Sequence, residues 1–553
     1  MDNMNTSEII IKLLEEKRVK HIFGHPGEQI LPLYRALSNS NIKHILTRHE
    51  QGAVHATDAY ARVTGKFGVC IATAGPGALN LVMGVATAYK DSIPMLIITG
   101  DNPKNFNKGN SFQNNSFQSI DTIAIFKPIV IKSFNPHNGK LAIMNIKEAL
   151  EILEKEPRGP VHINLSKDVL LDEDLGNVIN KELIFSPNYD YEELDKAVKC
   201  FKKSERPLII AGAGIAWGGA SKKLEKFIHE NQIPIATTYH SRGIISEKNT
   251  LNLGMIGIRG SSMANYALNH SDLILVLGSR LSERTLDFDK SFYNTSFFKK
   301  YKNHETKLIH INIDKSSLKG NIKIHGDVKT VLDKLNKLDK ITTSMDTKWV
   351  DEIHENNQKI AIDGVNSDTL PLKPQVAINE ILKSSKSLHV VNDAGSHTTW
   401  VNLLIESDIP QKLVYSGGMA PMGYGLPASC GVAIAKGERV ILINGDGGFQ
   451  MNIQELATVK ANNLPILIFV LNNSQLGVIR QGQKLLSDDL RYEVDLENPD
   501  FVAIANAYGI EAETVETKND LKLAINKGLK LKNPYLVEVI VDEEDIPLPK
   551  NIK

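Results

Sequence analysis

The run from Val440 to Arg480, VILINGDGGFQMNIQELATVKANNLPILIFVLNNSQLGVIR, limits the folds open to this chain more than any other stretch. Val440 to Asn444 is a short apolar run, too short for a helix and rich in Ile and Val, so it reads as a buried strand. It ends in Gly445-Asp446-Gly447-Gly448, a turn with three glycines around one carboxylate. Apolar residues at Ile453, Leu456, Ala457 and Val459 predict a helix over 451–461. Leu464 to Leu471 reads as a second buried strand, closed by Asn472-Asn473. One strand–helix–strand unit of this length makes the two strands parallel and brings their C-terminal ends together. Asp446 then sits at one end and Asn473 at the other, 27 positions later. A carboxylate and an amide oxygen converge beside glycine N–H groups, which suits a divalent cation carrying a diphosphate. Gly-Asp-Gly alone is common in turns for conformational reasons. Joined by one helix and one strand to Asn-Asn, it is far more specific.

The rest of the chain is read around that unit. At 553 residues it is too long for one core, and three or four domains are expected. Apolar content of 42% and charged content of 23% are ordinary for a water-soluble globular protein. Lys plus Arg equals Asp plus Glu at 64 each, so no nucleic-acid or anionic-membrane partner is expected. Cys70, Cys200 and Cys430 lie far apart without metal-ligand spacing, which argues against a disulfide framework or structural zinc. The N-terminal stretch MDNMNTSEIIIKLLEEKR has acidic residues and helical periodicity and does not read as a signal peptide. No apolar run is long enough to span a bilayer, and the expected location is the cytoplasm.

Strand and helix patterns alternate from the start, which predicts an α/β fold of doubly wound, mostly parallel sheets. Ser7 is read as the cap of a helix over 8–17. Short strands are expected at 21–23, 44–47, 68–72 and 94–99. The turn Gly24-His25-Pro26-Gly27-Glu28 follows the first, a helix beginning near Glu50 follows the second, and Gly75-Pro76-Gly77 follows the third, leading into a helix to Tyr89. An acid in a helix's first turn is favoured by the helix dipole alone. The neighbouring turns place Glu50 at the C-terminal sheet edge, where ligands of open α/β folds bind. Polar stretches at about 171–191 and 339–365 read as linkers. The expected domains are thus 1–170, 190–340 and 366–550. In the middle domain Gly212-x-Gly214 after a strand hints at a nucleotide site, but the full dinucleotide fingerprint is absent and a tight turn explains it equally.

Seven stretches then point to one family: FGHPGEQILPLYRAL, RHEQGAVHATDAYARVTG, ATAGPGALNLVMGVATAYKDSIPMLIITG, RGPVHINLSKDV, LGMIGIRGSSMANYAL, SGGMAPMGYGLPASCGVAIA and the Gly445–Asn473 segment. Over nearly its whole length the chain resembles the acetohydroxyacid (acetolactate) synthase family and its thiamine-diphosphate-dependent relatives. The resemblance implies a pyrimidine-binding domain, a central Rossmann-like domain and a diphosphate-binding domain. It also implies thiamine diphosphate and Mg2+ held between two subunits, hence a homodimer or homotetramer, with a small regulatory subunit as a further partner. Asp446, Asn473 and the Gln475 carbonyl would hold the metal. Gly395, Ser396, His397, Gly445, Gly447 and Gly448 match diphosphate-contacting positions. Ala420 and Met422 match the loop whose apolar wedge keeps the cofactor bent. Glu50 matches the carboxylate on the aminopyrimidine ring. Gln118 and Lys167, with Phe117, Gly27 and Arg284, match positions that handle the intermediate and the 2-oxo acid substrates.

The expected reaction is decarboxylation of a 2-oxo acid and transfer of the remaining fragment. A second 2-oxo acid as acceptor gives an acetohydroxy acid; a proton as acceptor releases an aldehyde. The chain departs from the synthase pattern at three places. Tyr-Pro-Gly-Gly of the synthases is His25-Pro26-Gly27-Glu28 here, which puts two titratable groups near the site. Arg-Phe-Asp-Asp-Arg is Arg280-Leu281-Ser282-Glu283-Arg284. The pocket tryptophan of the synthases is Gly482, which should open the second-substrate pocket. Gly212, Gly214, Arg280, Arg284, Asp314 and Asp327 match FAD-contacting positions of the family, although some relatives carry another nucleotide or none. A related decarboxylase or carbon–carbon lyase is the alternative reaction. A catalytically silent scaffold is disfavoured, because it has no chemical need for Glu50, Asp446 and Asn473 together.

Overall fold

The computed structural model describes residues 4–103, 117–174, 189–257, 260–282, 285–286, 295–356, 364–409, 412–486, 490–543 and 545–546. Three six-stranded parallel sheets carry the fold. The first contains β1 (His21–Gly24), β2 (Lys43–Leu46), β3 (Gly68–Ala72), β4 (Met95–Asp101), β5 (Lys132–Phe134) and β6 (Pro160–Ser166), in the order β2-β1-β3-β4-β6-β5. Helices return the chain between parallel strands, as the α/β pattern requires. The helix Thr6–Glu16 is capped by Asn5, two residues before the expected Ser7. Asn5 accepts from the Glu8 N–H at 3.1 Å and Glu8 accepts from the Asn5 N–H at 2.9 Å, a reciprocal capping box. Ser7 instead donates to the Leu170 carbonyl at 2.8 Å. The helix expected from Gly77 to Tyr89 is two, Pro76–Asn80 and Val82–Asp91.

The third sheet contains β13 (His389–Asn392), β14 (Leu413–Val414), β15 (Val440–Gly445), β16 (Ile466–Asn472), β17 (Glu511–Val515) and β18 (Tyr535–Ile540), in the order β14-β13-β15-β16-β18-β17. β15 and β16 are parallel neighbours, with Gly445 opposite Leu471. The expected helix over 451–461 is two pieces, the 3₁₀ turn Ile453–Glu455 and Leu456–Ala461, and a short helix, Asp446–Gln450, precedes it. The glycine turn is therefore the first turn of a helix.

The first and third sheets belong to one compact unit. Its centre is the helix Glu50–Thr64 packed on the helix Gly425–Lys436. Residues on every face of the first helix are buried, and Gly52, Ala53, Ala56 and Ala59 keep it slim. A Cβ at Gly431 would stand 2.0 Å from the Ala56 carbonyl oxygen, so backbone meets backbone there. A buried ionic network spans the same contact. Arg62 donates to Asp58 at 2.6 Å and to Asp91 at 2.8 Å, Tyr424 donates to Asp58 at 2.7 Å, and the Gly418 N–H donates to Asp91 at 3.0 Å. The unlike charges compensate one another, which lets three ionisable side chains stay out of water.

The other unit holds the middle sheet: β7 (Pro207–Ala211), β8 (Ile235–Thr237), β9 (Asn252–Met255), β10 (Leu273–Leu277), β11 (Lys307–Asn312) and β12 (Ile322–His325), in the order β12-β11-β10-β7-β8-β9. The stretch read as a second linker carries the helix Trp349–Glu355. Trp349 is fully buried in this unit and its indole N–H donates to the Pro207 carbonyl at 3.0 Å. Charge dominates the composition of 339–365 and conceals one aromatic anchor.

Candidate active site

Asp446 and Asn473 stand one residue past the ends of β15 and β16, as the strand reading requires. Asp446 is 2% exposed. Burial pushes its carboxyl up from the ordinary range, and hydrogen bonds from Asn498 and the Gly447 N–H oppose that shift. Asn498 escaped the sequence reading. Its amide donates to Asp446 Oδ2 at 2.7 Å and to Asn472 Oδ1 at 2.8 Å, and it accepts from Gln450 at 2.9 Å. It ties both strand ends together from a loop with no motif of its own.

Ser474, between Asn473 and Gln475, adopts a left-handed backbone at φ 53°. The Gln475 carbonyl accepts from the Gly477 N–H at 3.0 Å, and its side-chain Oε1 is buried without a partner. Ser396 Oγ and the Asn473 amide both border Gly477, at 3.1 and 3.4 Å from where a Cβ would stand. His397 is buried beside Gly395 and Gly445, and burial draws its imidazole down to about 4. Its Nε2 has no partner. Met422 lies between Ala420 at φ 50° and Gly423 at φ 86°, and its Cε is 3.4 Å from the place of a Gly447 Cβ. Leu476 and Leu496 border the same spot at 3.2 and 3.1 Å, so a side chain at Gly447 would have to push these side chains aside.

Asp393 is a second group the sequence reading missed. Its buried carboxylate accepts from the N–H groups of Gly423 (3.0 Å), Gly425 (3.3 Å) and Ala394 (2.6 Å), and it borders Gly448 at 3.0 Å. Burial raises its carboxyl to about 6 against those bonds. It fastens the Met422 loop to the start of the Asp446 helix.

The first sheet gathers the remaining residues at its C-terminal edge. Glu50 opens its helix with His49 as the N-cap, and accepts from Asn80 at 3.0 Å. A Cβ at Gly77 would lie 3.3 Å from Glu50 Oε1 and 2.8 Å from Thr73, and one at Gly27 would lie 2.5 Å from Thr73. Gly75 meets the Gln118 carbonyl at 2.6 Å in the same sense, and Gln118 is left-handed at φ 60°. Phe117 is exposed, and Asn102 donates to its carbonyl at 2.7 Å. Lys167 follows β6 and pairs with Glu28 at 3.7 Å. His25 engages the Thr47 carbonyl through Nδ1 at 2.9 Å. Gly482 lies on the helix Gly477–Leu486 with nothing within 4 Å of where a Cβ would point.

The flavin positions lie in the other unit. Gly212 and Gly214 pack on Gly278, where added Cβ atoms would stand 2.4 and 2.9 Å from its backbone. Asp314 accepts from Ser316 and Ser317, and Asp327 caps the helix Val328–Leu335 through the Thr330 N–H at 2.8 Å. Arg280 is exposed, and Arg284 lies outside the described residues. These glycines and aspartates serve the domain's own turns and caps, and no chemistry is routed through a flavin here.

The metal–diphosphate residues do fit their group. Among the described residues no cluster of three or more His, Cys, Asp or Glu is formed. A cation at this turn would have one carboxylate with amide and carbonyl oxygens as its ligands. That hard, neutral-rich set suits a divalent ion that brings its own phosphate oxygens. Gln475 Oε1 and His397 Nε2, both buried and unpaired, add polar groups beside it.

Three family descriptions match in order: thiamine pyrophosphate enzyme, N-terminal TPP binding domain, over residues 4–125; the central domain, over 194–335; and the C-terminal TPP binding domain, over 393–539. The chain belongs to the thiamine pyrophosphate enzymes. Within them it is similar to acetolactate synthase large subunits. It is 36% identical to a probable acetolactate synthase large subunit of Methanococcus aeolicus, over 98% of this chain and 92% of the relative. It is 37% identical to a protein so described from Methanocaldococcus jannaschii (99% and 93%), and 35% identical to the acetolactate synthase large subunit of Lactococcus lactis (98% and 93%).

Proposed function

We propose that this chain decarboxylates a pyruvate-like 2-oxo acid and joins the remaining fragment to a second 2-oxo acid, with thiamine diphosphate and Mg2+ bound. One observation carries the cofactor reading: Asp446 and Asn473 emerge from adjacent parallel strands, Asn498 bridges Asp446 to Asn472 at the two strand ends, and Gly447 lies in a tight spot beside them. Asp446, Asn473 and the Gln475 carbonyl hold the metal. Gly447 and Gly448, with Ser396 and His397, would border the diphosphate. When bound, thiamine diphosphate stabilises the carbanion that decarboxylation leaves behind.

The chain's own residues orient and move protons around that chemistry. Glu50 shares a proton with the aminopyrimidine ring nitrogen, which is positioned acid–base catalysis. Its Asn80 bond at 3.0 Å sets one carboxylate oxygen and leaves the other for the ring. Met422 would pack against the cofactor as an apolar wedge, and Asp393 holds the loop that carries it. Gln118 and Lys167 stand on the rim where a 2-oxo acid carboxylate would arrive. Among the described residues no helix is long and apolar enough to cross a membrane. We place the enzyme in the cytoplasm, in branched-chain amino acid biosynthesis, as a homodimer or homotetramer. The term "large subunit" in the relatives' names supports a small regulatory partner.

Product analysis tests this reading. Purified protein with thiamine diphosphate, Mg2+ and labelled pyruvate should form acetolactate, and acetohydroxybutyrate when 2-oxobutyrate is added. Cofactor binding with pyruvate untouched would refute the substrate assignment. The Glu28–Lys167 pair beside His25 favours a second reading, aldehyde release, since these are proton-transferring groups at the rim. Acetaldehyde as the main product would establish it.

A further inference from the structure

The carboxylate of Glu455 has no role in the site as described, yet it is fully buried. It ends the 3₁₀ turn Ile453–Glu455, in the segment that begins at Asp446. Its Oε1 accepts from the backbone N–H groups of Arg48 and His49, each at 3.0 Å. Its Oε2 accepts from the Arg48 N–H at 3.2 Å and from the Thr458 hydroxyl. Arg48 and His49 are the two residues before Glu50, and their N–H groups point out of the start of its helix. Such groups lack helical partners and favour an anion. The His49 side chain serves the Gln51 N–H at 3.1 Å, and the anion comes from more than 400 positions downstream. Gly52 makes room for it: a Cβ there would stand 2.4 Å from Glu455 Oε1. Alanine would suit the helix better, so the glycine answers to the incoming carboxylate. Burial raises the Glu455 carboxyl, and the donors from Thr458, Arg48 and His49 hold its ionised form.

We propose that Glu455 is a positioning residue, which fixes the backbone entering the Glu50 helix and so sets the direction of the Glu50 carboxylate toward the cofactor's aminopyrimidine. This rests on the reading of Glu50 as the ring's proton partner. A carboxylate displaced by about 1 Å from its reacting partner loses about 10²-fold in rate, so a small shift at Arg48 and His49 is enough to matter. Glu455→Gln keeps the shape but turns an N–H₂ group against backbone N–H donors.

The test uses full-length wild type, Glu455→Gln, Gly52→Ala, Thr458→Val and Glu50→Gln, each loaded with thiamine diphosphate and Mg2+. Cofactor Kd, kcat, KM and the near-ultraviolet circular-dichroism band of the imino cofactor are measured. Glu455→Gln should lower kcat about 10- to 100-fold and weaken the imino band, with KM and cofactor Kd nearly unchanged. Gly52→Ala should do the same although alanine favours the helix. A wild-type band and turnover in Glu455→Gln would overturn the proposal. So would loss of cofactor binding in step with thermal stability, which marks a merely structural contact. If Glu455→Gln does not fold, wild-type band and turnover in both Gly52→Ala and Thr458→Val would overturn it. Unchanged turnover in Glu50→Gln would instead sink the proton-relay reading itself. Loss of the band in Glu50→Gln alone would sink only the positioning role.

Discussion

Asn498→Ala probes how far the metal site depends on a residue with no motif around it. The substitution removes two donated bonds, 2.7 Å to the Asp446 carboxylate and 2.8 Å to the Asn472 amide oxygen, and one accepted from Gln450 at 2.9 Å. A hydrogen bond to a charged group contributes about 1.5–3 kcal/mol. The share that reaches the metal is what orients Asp446. Loss of such an outer partner costs about 10- to 100-fold in metal affinity, or about 1.4–2.8 kcal/mol. The two figures agree. Asn498 is half-buried, so water takes part of its place and the loss should fall in the lower half of that range. The assay is a Mg2+ titration at saturating thiamine diphosphate, followed by the bound cofactor's circular dichroism. Half-saturation should move up about 10- to 30-fold. A shift under about twofold would refute the idea that Asn498 aims the carboxylate, and a cofactor that fails to bind at any Mg2+ level would put the residue in the fold instead.

Four further outcomes follow from the same structure. Asp446→Ala should abolish Mg2+-dependent cofactor binding, read by calorimetry, because it removes the one charged oxygen ligand proposed for the ion. Gly482→Trp should narrow the range of accepted second substrates in competition assays, since nothing within 4 Å obstructs a side chain there. Trp349→Ala should cost about 3–5 kcal/mol, seen as a lower thermal midpoint for the unit that holds the middle sheet. Acid should destabilise the other unit through His55 and His162, which burial draws down to about 3 each. Their folded pKa lies below the unfolded value, so the native state binds fewer protons, and stability is full above about pH 6.5 and falls as pH drops. By pH 5 each contributes about 2 kcal/mol of loss. His55→Leu should remove about half of that slope in urea titrations at successive pH values.

The parallel sheets were legible because central strands such as β7, β10 and β16 are buried on both faces and read as nearly unbroken apolar runs. β3 falls on the residues expected of it. The convergence of Asp446 and Asn473 was legible because both are local to one strand–helix–strand unit. What the sequence hid is non-local or conformational. Asp393, Glu455 and Asn498 act on backbone N–H groups or on another ligand, and such a role leaves no spacing to recognise. Trp349 sits in a polar stretch whose average charge outweighs its one anchor. The helix after Asp446 has the right periodicity, but left-handed or strained positions such as Gly423 and Ser474 cannot be read from hydrophobic pattern.

The slim helix Glu50–Thr64, buried all round against Gly425–Lys436, also sets the timing of biosynthesis. A ribosome working at about 5–20 residues per second needs tens of seconds after the first helix emerges to make the second. Throughout that interval an alanine-rich surface and the ionic side chains Asp58 and Arg62 lie uncovered by the partner that will bury them. The nascent chain is therefore a client for chaperones until its last third arrives. A gene split between the two helices would yield two fragments that must find each other before either is sound.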